Sequence, residues 1–118
     1  MDRGDVYPIN MELPNRQGGA QPENRSKYVI VLQGGPIFAS TTEVAVVVAS
    51  TYRSRGRARP FEVLLGQAEG FDHDTVVDGR WVFTISKAKV QSGRYRFQLD
   101  SGRMTKISVA IVAGLELR

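Results

Sequence analysis

Long runs of β-branched residues, separated by turns rich in glycine and proline, dominate the hydrophobic pattern of this chain. Residues 27–33 (KYVIVLQ) and 43–52 (EVAVVVASTY) are apolar at nearly every position. Such unbroken runs are typical of strands buried on both faces, because a strand with one exposed face alternates apolar with polar residues. We therefore predict that these segments form the central strands of a sheet.

Shorter segments with a strand-like composition flank the central pair. Residues 6–11, 60–65, 75–85 and 95–99 are rich in β-branched or aromatic side chains. Gly79 interrupts the third of these segments, and the last one alternates aromatic with basic and polar residues, as an edge strand does. The pattern predicts a sheet of several short strands.

Prolines, glycines and amides mark the connections between these segments. Residues 12–25 contain Pro14, Pro22 and a pair of adjacent glycines, which break any period and indicate a long loop. Residues 34–36 (GGP) indicate a tight turn, and residues 53–59 form a connection rich in arginine, glycine and serine.

The hydrophobic spacing becomes helical near the end of the chain. Met104, Ile107, Ile111 and Leu115 follow an Asp-Ser pair at positions 100–101, and both of those residue types are suited to cap a helix. Strands and helices do not alternate along the chain. The order of elements therefore predicts a mainly β fold, in which a curled antiparallel sheet packs against one C-terminal helix.

The composition narrows the possible classes of protein. A chain of 118 residues with 42% hydrophobic and 24% charged residues is ordinary for a globular protein, and we expect a single domain over residues 1–118. The absence of cysteine excludes disulfides, thiol catalysis and cysteine-ligated metal sites. We find no signal-peptide core and no window near the roughly 18 apolar residues of a membrane span. We expect a cytoplasmic protein with no membrane contact, and the net charge of +4 favours a polyanionic partner.

Several short strings, in one order along nearly the whole chain, resemble the MazF/PemK family of toxin endoribonucleases. RGDVY resembles the usual opening of the family, and the later strings resemble its successive strands and its closing helix. Each string is short, but their common order makes the resemblance specific. The strings are RGDVY at 3–7, KYVIVLQ at 27–33, VVVASTYR at 46–53, PFEVLL at 60–65, TVVDGRWVFTISKAKV at 75–90, and the helix at 99–117.

The resemblance implies a small SH3-like barrel of the CcdB/PemK toxin type with a C-terminal helix. It further implies a toxin of a type II toxin-antitoxin system, which forms a homodimer, binds single-stranded RNA in a groove and is held by a cognate antitoxin protein. Family members cleave RNA without a metal ion or other cofactor and leave 2′,3′-cyclic phosphate ends. The reaction requires a proton acceptor, a proton donor to the leaving 5′-oxygen, and a cation that stabilises the phosphorane.

The resemblance also indicates site residues on two strands. Thr51 corresponds to the active-site threonine of the family. Strict register places Lys27 where the family has its catalytic arginine, whereas Arg25 lies two residues earlier at the end of the predicted loop. The sequence leaves this choice open. Lysine supplies a positive charge, but it lacks the planar fork with which arginine holds two phosphate oxygens.

A second departure from the family lies at positions 78–80. Some relatives carry an arginine followed by an aspartate there, both of which serve in proton transfer, whereas this chain has Asp78 and Arg80 in the reverse order. Side chains two positions apart share a face of a strand, so these residues can form one pair facing the groove or an exposed surface pair. His73 has the chemistry of a general base, but its position between aspartates favours a surface role.

Further candidates are suited to RNA binding. Arg53, Arg55 and Arg57, with Arg59 after them, alternate with small residues, and such a cluster can follow a phosphate backbone or remain a solvated loop. Tyr52 and Trp81 are aromatic side chains on which RNA bases can stack, and a place in the core or at a dimer interface is the alternative for Trp81.

Two alternative functions remain open from the sequence. The lysine at position 27 and the reversed pair at 78 and 80 are compatible with an RNA-binding homologue whose cleavage is weakened or lost. The relationship to CcdB is compatible with a toxin that acts on a protein target such as DNA gyrase, a role that needs no active site.

Overall fold

The computed structural model describes residues 1–13, 23–52 and 58–117. Six strands form one sheet, and two α-helices and two short 3-10 turns complete the described elements. The strands are β1 (Asp5–Leu13), β2 (Glu23–Val31), β3 (Glu43–Thr51), β4 (Glu62–Leu65), β5 (Thr75–Ser86) and β6 (Phe97–Gln98). The helices are α1 (Lys87–Gln91) and α2 (Ser101–Gly114), and the 3-10 turns are Pro36–Phe38 and Gln67–Glu69.

The sheet has the strand order β4-β5-β3-β2-β1-β6, and each neighbouring pair is antiparallel. The nearly unbroken apolar runs form β2 and β3 in the middle of this order, which confirms their prediction as central strands. The two-residue strand β6 lies at an edge, also as predicted. The mainly β fold with a C-terminal helix is thus confirmed as a curled sheet that is open between β4 and β6.

Both faces of the central strands are buried, which explains their continuous apolarity. Val47 and Ala49 pack towards α2, in a core that includes Ile107. Val46 and Val48 point to the opposite face, into a second cluster that includes residues of β1 and α1. Successive side chains of one strand therefore enter two different apolar layers.

Two predictions about the connections are corrected by the structure. The predicted loop at 12–25 is shorter, because β1 continues to Leu13 and β2 already begins at Glu23, with Leu13 paired to Glu23. The backbone hydrogen bonds of this hairpin extend it into polar sequence, which hydrophobic period does not detect. Arg25 therefore lies on β2, opposite Met11, rather than at the end of a loop.

The predicted C-terminal helix is confirmed as α2, but it ends before Leu115, and the structure adds a second, short helix. Asp100 caps α2 by accepting a hydrogen bond from the Arg103 backbone N–H, and Met104 and Ile107 are buried. Leu115 lies just beyond the helix and is exposed. The short helix α1, capped by Ser86, was not predicted, because five residues are too few to show a helical period.

At Gly79, α2 packs directly against the backbone of β5. A Cβ atom at this position would overlap the backbone carbonyl of Ala110 on α2. The glycine that interrupts the apolar pattern of β5 therefore allows the helix to pack directly on the strand. In the part of the chain that the structure describes, no helix is long and apolar enough to cross a membrane.

Candidate active site

A small cavity lies where β2, β3, β4 and β5 meet at the end of β3. Its volume is about 240 Å³. It brings together four residues that the sequence analysis selected from separate segments, together with neighbours that it did not select. The lining residues are Lys27, Val48, Ser50, Thr51, Glu62, Val76, Asp78 and Trp81.

The strand register explains why these residues meet. Tyr28 pairs with Ala49, so the preceding residue of β2, Lys27, lies beside the end of β3. On the other side, Glu62 of β4 pairs with Asp78 of β5. The cavity is therefore built on paired strands, which hold side chains more rigidly than loops do.

The adjacent hydroxyl residues of β3 have different surroundings. Val48 belongs to the apolar cluster on one face and Ala49 to the core on the α2 face. Because side chains alternate along a strand, the Ser50 side chain points to the same face as Val48, and the Thr51 side chain points to the same face as Ala49. Thr51 is exposed at the strand end and lines the rim of the cavity, whereas Ser50 is half-buried.

The hydroxyl of Thr51 is hydrogen-bonded to the only histidine of the chain. Thr51 Oγ1 lies 3.0 Å from His73 Nε2, and His73 Nδ1 lies 2.6 Å from Asp72 Oδ1. The His73 side chain is 39% exposed, so it is accessible but not a freely solvated surface residue. A hydroxyl, an imidazole and a carboxylate thus form a hydrogen-bonded chain at the surface.

The loop that carries His73 is held at several points. Tyr28 on β2 donates a hydrogen bond to Asp72 Oδ1 at 3.1 Å. The buried Thr75 hydroxyl donates to the His73 carbonyl oxygen at 3.0 Å, and the Tyr52 N–H donates to the Asp74 carbonyl oxygen at 2.9 Å. These bonds connect the loop to β2, β3 and β5, so the imidazole is placed by the sheet.

Two pKa shifts follow from these contacts. Burial, reinforced by the nearby Asp72 carboxylate, raises the pKa of Tyr28, so this phenol keeps its proton and remains a donor. The hydrogen bond from Tyr28, with a further contribution from the neighbouring His73, lowers the pKa of Asp72. The carboxylate beside His73 is therefore ionised at neutral pH.

Asp78 and Arg80 form an ion pair on β5. Arg80 Nη2 lies 2.8 Å from Asp78 Oδ2, and Arg80 Nε donates to Asp78 Oδ1 at 3.0 Å. The guanidinium also lies over the ring of Phe61, 4.2 Å from its centroid. The hydrogen bonds to Asp78 raise the pKa of Arg80. Only Asp78 of this pair lines the cavity, so the guanidinium neutralises the carboxylate from outside it.

The remaining predicted residues fall in different places. Trp81 lines the cavity, and its ring meets Phe83 edge to face at 6.4 Å. Tyr52 follows Thr51 but does not line this cavity. The side chain of Arg25 and the predicted arginines of the connection after β3 lie outside the described residues; the latter are Arg53, Arg55 and Arg57.

Larger cavities lie elsewhere but combine fewer polar groups. One of about 500 Å³ lies between β1 and β5, with Glu12 and Lys89 as its charged residues. Another of about 500 Å³ lies between β4 and α2. Size alone does not identify a reactive site, and the smaller cavity has the convergent cation, hydroxyls and carboxylates. Across residues 1–13, 23–52 and 58–117, no group of three histidine, aspartate or glutamate side chains is arranged to hold a metal ion.

Sequence reasoning missed several residues of the site. Ser50 and Glu62 line the cavity, and Asp72 orients His73. Ser50 was visible as a hydroxyl next to Thr51, but its face depends on the register of β3. Asp72 stood in an acidic turn whose position against Thr51 depends on folding of residues 22 positions apart.

Comparison with protein families gives a match over nearly the whole chain. The family is described as PemK-like, MazF-like toxin of type II toxin-antitoxin system, and it matches residues 2–115. Comparison with curated protein sequences gives no match.

Solved structures share the fold at low sequence identity. An endoribonuclease from a Mycobacterial species, solved in complex with its cognate antitoxin, is 22% identical, with a TM-score of 0.71 over 100% of this chain and 97% of that one. The Mycobacterium tuberculosis toxin MazF-mt6 is 19% identical, with a TM-score of 0.68 over 95% of this chain and 98% of that one. MazF from Deinococcus radiodurans is 16% identical, with a TM-score of 0.71 over 98% and 96%. These similarities establish the fold.

Proposed function

The chain belongs to the family of PemK-like, MazF-like toxins of type II toxin-antitoxin systems, and we propose that it is an endoribonuclease that cleaves single-stranded RNA in the cytoplasm without a metal ion. The observation that carries this proposal is the cavity at the end of β3. It combines the Lys27 ammonium group, the hydroxyls of Ser50 and Thr51, and the aromatic ring of Trp81.

Each of these groups has a role in cleavage. The ribose 2′-hydroxyl attacks the adjacent phosphate, and the Lys27 ammonium group stabilises the negative charge that develops on the phosphorane oxygens. The same ammonium group donates a proton to the leaving 5′-oxygen. The products are a 2′,3′-cyclic phosphate end and a 5′-hydroxyl end. Ser50 and Thr51 contact the phosphate from the end of a rigid strand, which keeps the attack in line.

The surroundings of the cavity suit a nucleic acid chain. Trp81 provides a ring for base stacking beside the phosphate position. Arg80 neutralises the Asp78 carboxylate, which would otherwise repel a phosphate. We propose that Arg53, Arg55 and Arg57, just after Thr51 in the chain, contribute phosphate contacts. Lys27 lines the cavity and is the cation of this proposal, and Arg25, whose side chain lies outside the described residues, is the alternative.

We propose that the toxin acts as a single domain over residues 1–118, as a homodimer, and that a cognate antitoxin protein blocks it in resting cells. The similar endoribonuclease from a Mycobacterial species, which was solved in complex with its cognate antitoxin, supports this proposal. Co-expression with small acidic proteins encoded beside the toxin, followed by size-exclusion chromatography with light scattering, measures both assemblies.

The central experiment is cleavage of a defined single-stranded RNA by pure protein in EDTA. We expect fragments with 2′,3′-cyclic phosphate ends from the wild type. Lys27→Gln should lose about 100-fold or more in rate, because it removes both the charge and the proton donor. Lys106→Gln, on the exposed surface of α2, is the matched control and should cleave at the wild-type rate. Intact RNA with the wild-type protein would refute the proposed activity.

One observation favours RNA binding without efficient cleavage. Lys27 stands where the resembling family has an arginine, and a single ammonium group does not hold two phosphate oxygens in a fork. Lys27→Arg separates the two functions. If the wild type binds RNA but cleaves slowly and Lys27→Arg cleaves faster, the natural chain is primarily a binding protein.

A further inference from the structure

A line of polar side chains leads from the cavity to the loop before β5. The Thr51 hydroxyl at the cavity rim lies 3.0 Å from His73 Nε2, and Asp72 Oδ1 lies 2.6 Å from His73 Nδ1. Tyr28 donates to the same carboxylate oxygen. His73 does not line the cavity itself, so any effect it has on a ligand there passes through Thr51.

The contacts define which nitrogen carries the proton in the neutral imidazole. The low pKa of Asp72 keeps that carboxylate ionised, and an ionised carboxylate is an acceptor only. Nδ1, beside it, therefore carries the hydrogen, and Nε2 is left with a lone pair. The hydroxyl hydrogen of Thr51 then points to Nε2, and the oxygen lone pairs of Thr51 are available to a donor at the cavity rim.

We propose that His73 is a positioning residue for RNA cleavage, which orients the Thr51 hydroxyl and takes up, through it, the proton released by the attacking ribose. This inference rests on the endoribonuclease activity proposed above. Asp72 and Tyr28 complete the arrangement by holding the imidazole in the required tautomer.

The proton transfer balances within the site. The 2′-oxygen forms a bond to phosphorus and gives its proton to Thr51 Oγ1, while the Thr51 hydroxyl proton moves to His73 Nε2. The bond from phosphorus to the 5′-oxygen breaks, and the leaving oxygen takes a proton from the Lys27 ammonium group. His73 ends as an imidazolium beside the Asp72 carboxylate, and it returns its proton to Lys27 through water.

The protonation state of His73 sets the role of Thr51. Imidazolium has a hydrogen on both nitrogens, so Nε2 then donates to Thr51 Oγ1 and cannot accept its proton. This blocks the proton relay from the ribose through Thr51 to His73. Loss of the proton from Nε2 restores the acceptor that the Thr51 hydroxyl needs. The groups that face His73 are Asp72 in its own loop, Thr51 on β3 and Tyr28 on β2.

The pH profile of RNA cleavage tests the inference. We expect the wild-type profile to have an acidic limb, in which the rate falls as His73 is protonated. His73→Gln retains a group that can hydrogen-bond Thr51 but cannot titrate, so its profile should lack this limb and its rate above the limb should be about 100-fold lower. Asp72→Asn should lose about tenfold and keep an acidic limb, because it removes the orienting carboxylate but leaves the imidazole.

The controls separate this inference from the proposed activity. Circular dichroism and urea unfolding verify that each variant is folded, and Lys106→Gln should keep the wild-type profile. If the wild type cleaves RNA and His73→Gln retains its rate and acidic limb, the positioning role is refuted while the endoribonuclease stands. Nitrogen NMR of His73 is an independent test, because a hydrogen on Nε2 rather than Nδ1 at pH 8 contradicts the relay. A wild-type protein that cleaves no RNA overturns both proposals.

Discussion

Ser50 and Thr51 are adjacent in β3, yet their hydroxyls lie in different surroundings. Ser50 shares the cavity with Lys27, whereas Thr51 at its rim is hydrogen-bonded to His73 at 3.0 Å. The alternation of side chains along a strand, combined with apolar layers on both faces, produces this separation. The two hydroxyls therefore have separable effects on RNA cleavage.

Exchanging each hydroxyl in turn measures that separation. Ser50→Ala should lower kcat/KM about tenfold, which is the loss of one hydrogen bond to a charged group, and leave the shape of the pH profile unchanged. Thr51→Val should lower the rate more and remove the acidic limb, because the connection to His73 is lost. Thr105→Val on the exposed surface of α2 is the matched control. A change of pH profile in Ser50→Ala would contradict this assignment.

Tyr28 is expected to control the titration of Asp72. Its hydrogen bond is the largest cause of the lowered Asp72 pKa, so Tyr28→Phe should move the carboxyl titration to higher pH, as measured by carbon NMR. A lowered carboxyl pKa stabilises the fold above the ordinary aspartate value, and this stabilisation is lost as the pH falls through the lowered value. Tyr7→Phe, a tyrosine near Asp5, should leave Asp72 unchanged. An unshifted Asp72 in Tyr28→Phe would show that another group lowers its pKa.

Trp81 provides a direct signal for ligand binding. It is the only tryptophan in the chain and it lines the cavity. Stacking of a base should quench its fluorescence, and Trp81→Leu should weaken RNA binding about 5- to 150-fold, which corresponds to 1–3 kcal/mol. Tyr95→Leu, an exposed aromatic residue that does not line this cavity, is the control and should leave RNA affinity nearly unchanged. Unquenched fluorescence at saturating RNA would place the bases elsewhere.

The ion pair between Asp78 and Arg80 should affect RNA binding more than folding. Both side chains are at least partly exposed, so Arg80→Ala should reduce the free energy of unfolding by no more than about 1 kcal/mol. RNA affinity should fall, because the Asp78 carboxylate then faces a phosphate without a neutralising cation. The double change Arg80→Ala with Asp78→Asn should restore affinity at low salt. Equal affinities of the wild type and Arg80→Ala in a filter-binding titration would argue against this role.

Gly79 tests the packing of α2 on the sheet. Gly79→Ala places a methyl group against the Ala110 carbonyl oxygen, and we expect a loss of about 1–3 kcal/mol in the free energy of unfolding by urea. The control is Gly102→Ala in the exposed first turn of α2, where the nearest atom is a side-chain oxygen of Asp100. A loss at Gly102 as large as that at Gly79 would mean that helix packing is not the cause.

The sequence was sufficient to predict the architecture, because burial of a strand or helix produces a recognisable pattern of apolar residues along the chain. The unbroken apolarity of β2 and β3 reports two buried faces, and the spacing of Met104 and Ile107 reports the buried face of α2. The extended hairpin of β1 and β2 and the short helix α1 show no such apolar pattern. Backbone hydrogen bonds form them, and these bonds do not depend on side-chain polarity.

The site, like the fold, was predicted only in part by the sequence. The chain itself supplied Lys27, Thr51, Asp78 and Trp81 as candidates, through residue type and family resemblance. That these four line one cavity with Ser50 was decided by the strand register, since a shift of one residue would turn every side chain to the other face. The bond from Thr51 to His73 joins segments 22 residues apart, and only the folding of the loop onto the end of β3 creates it.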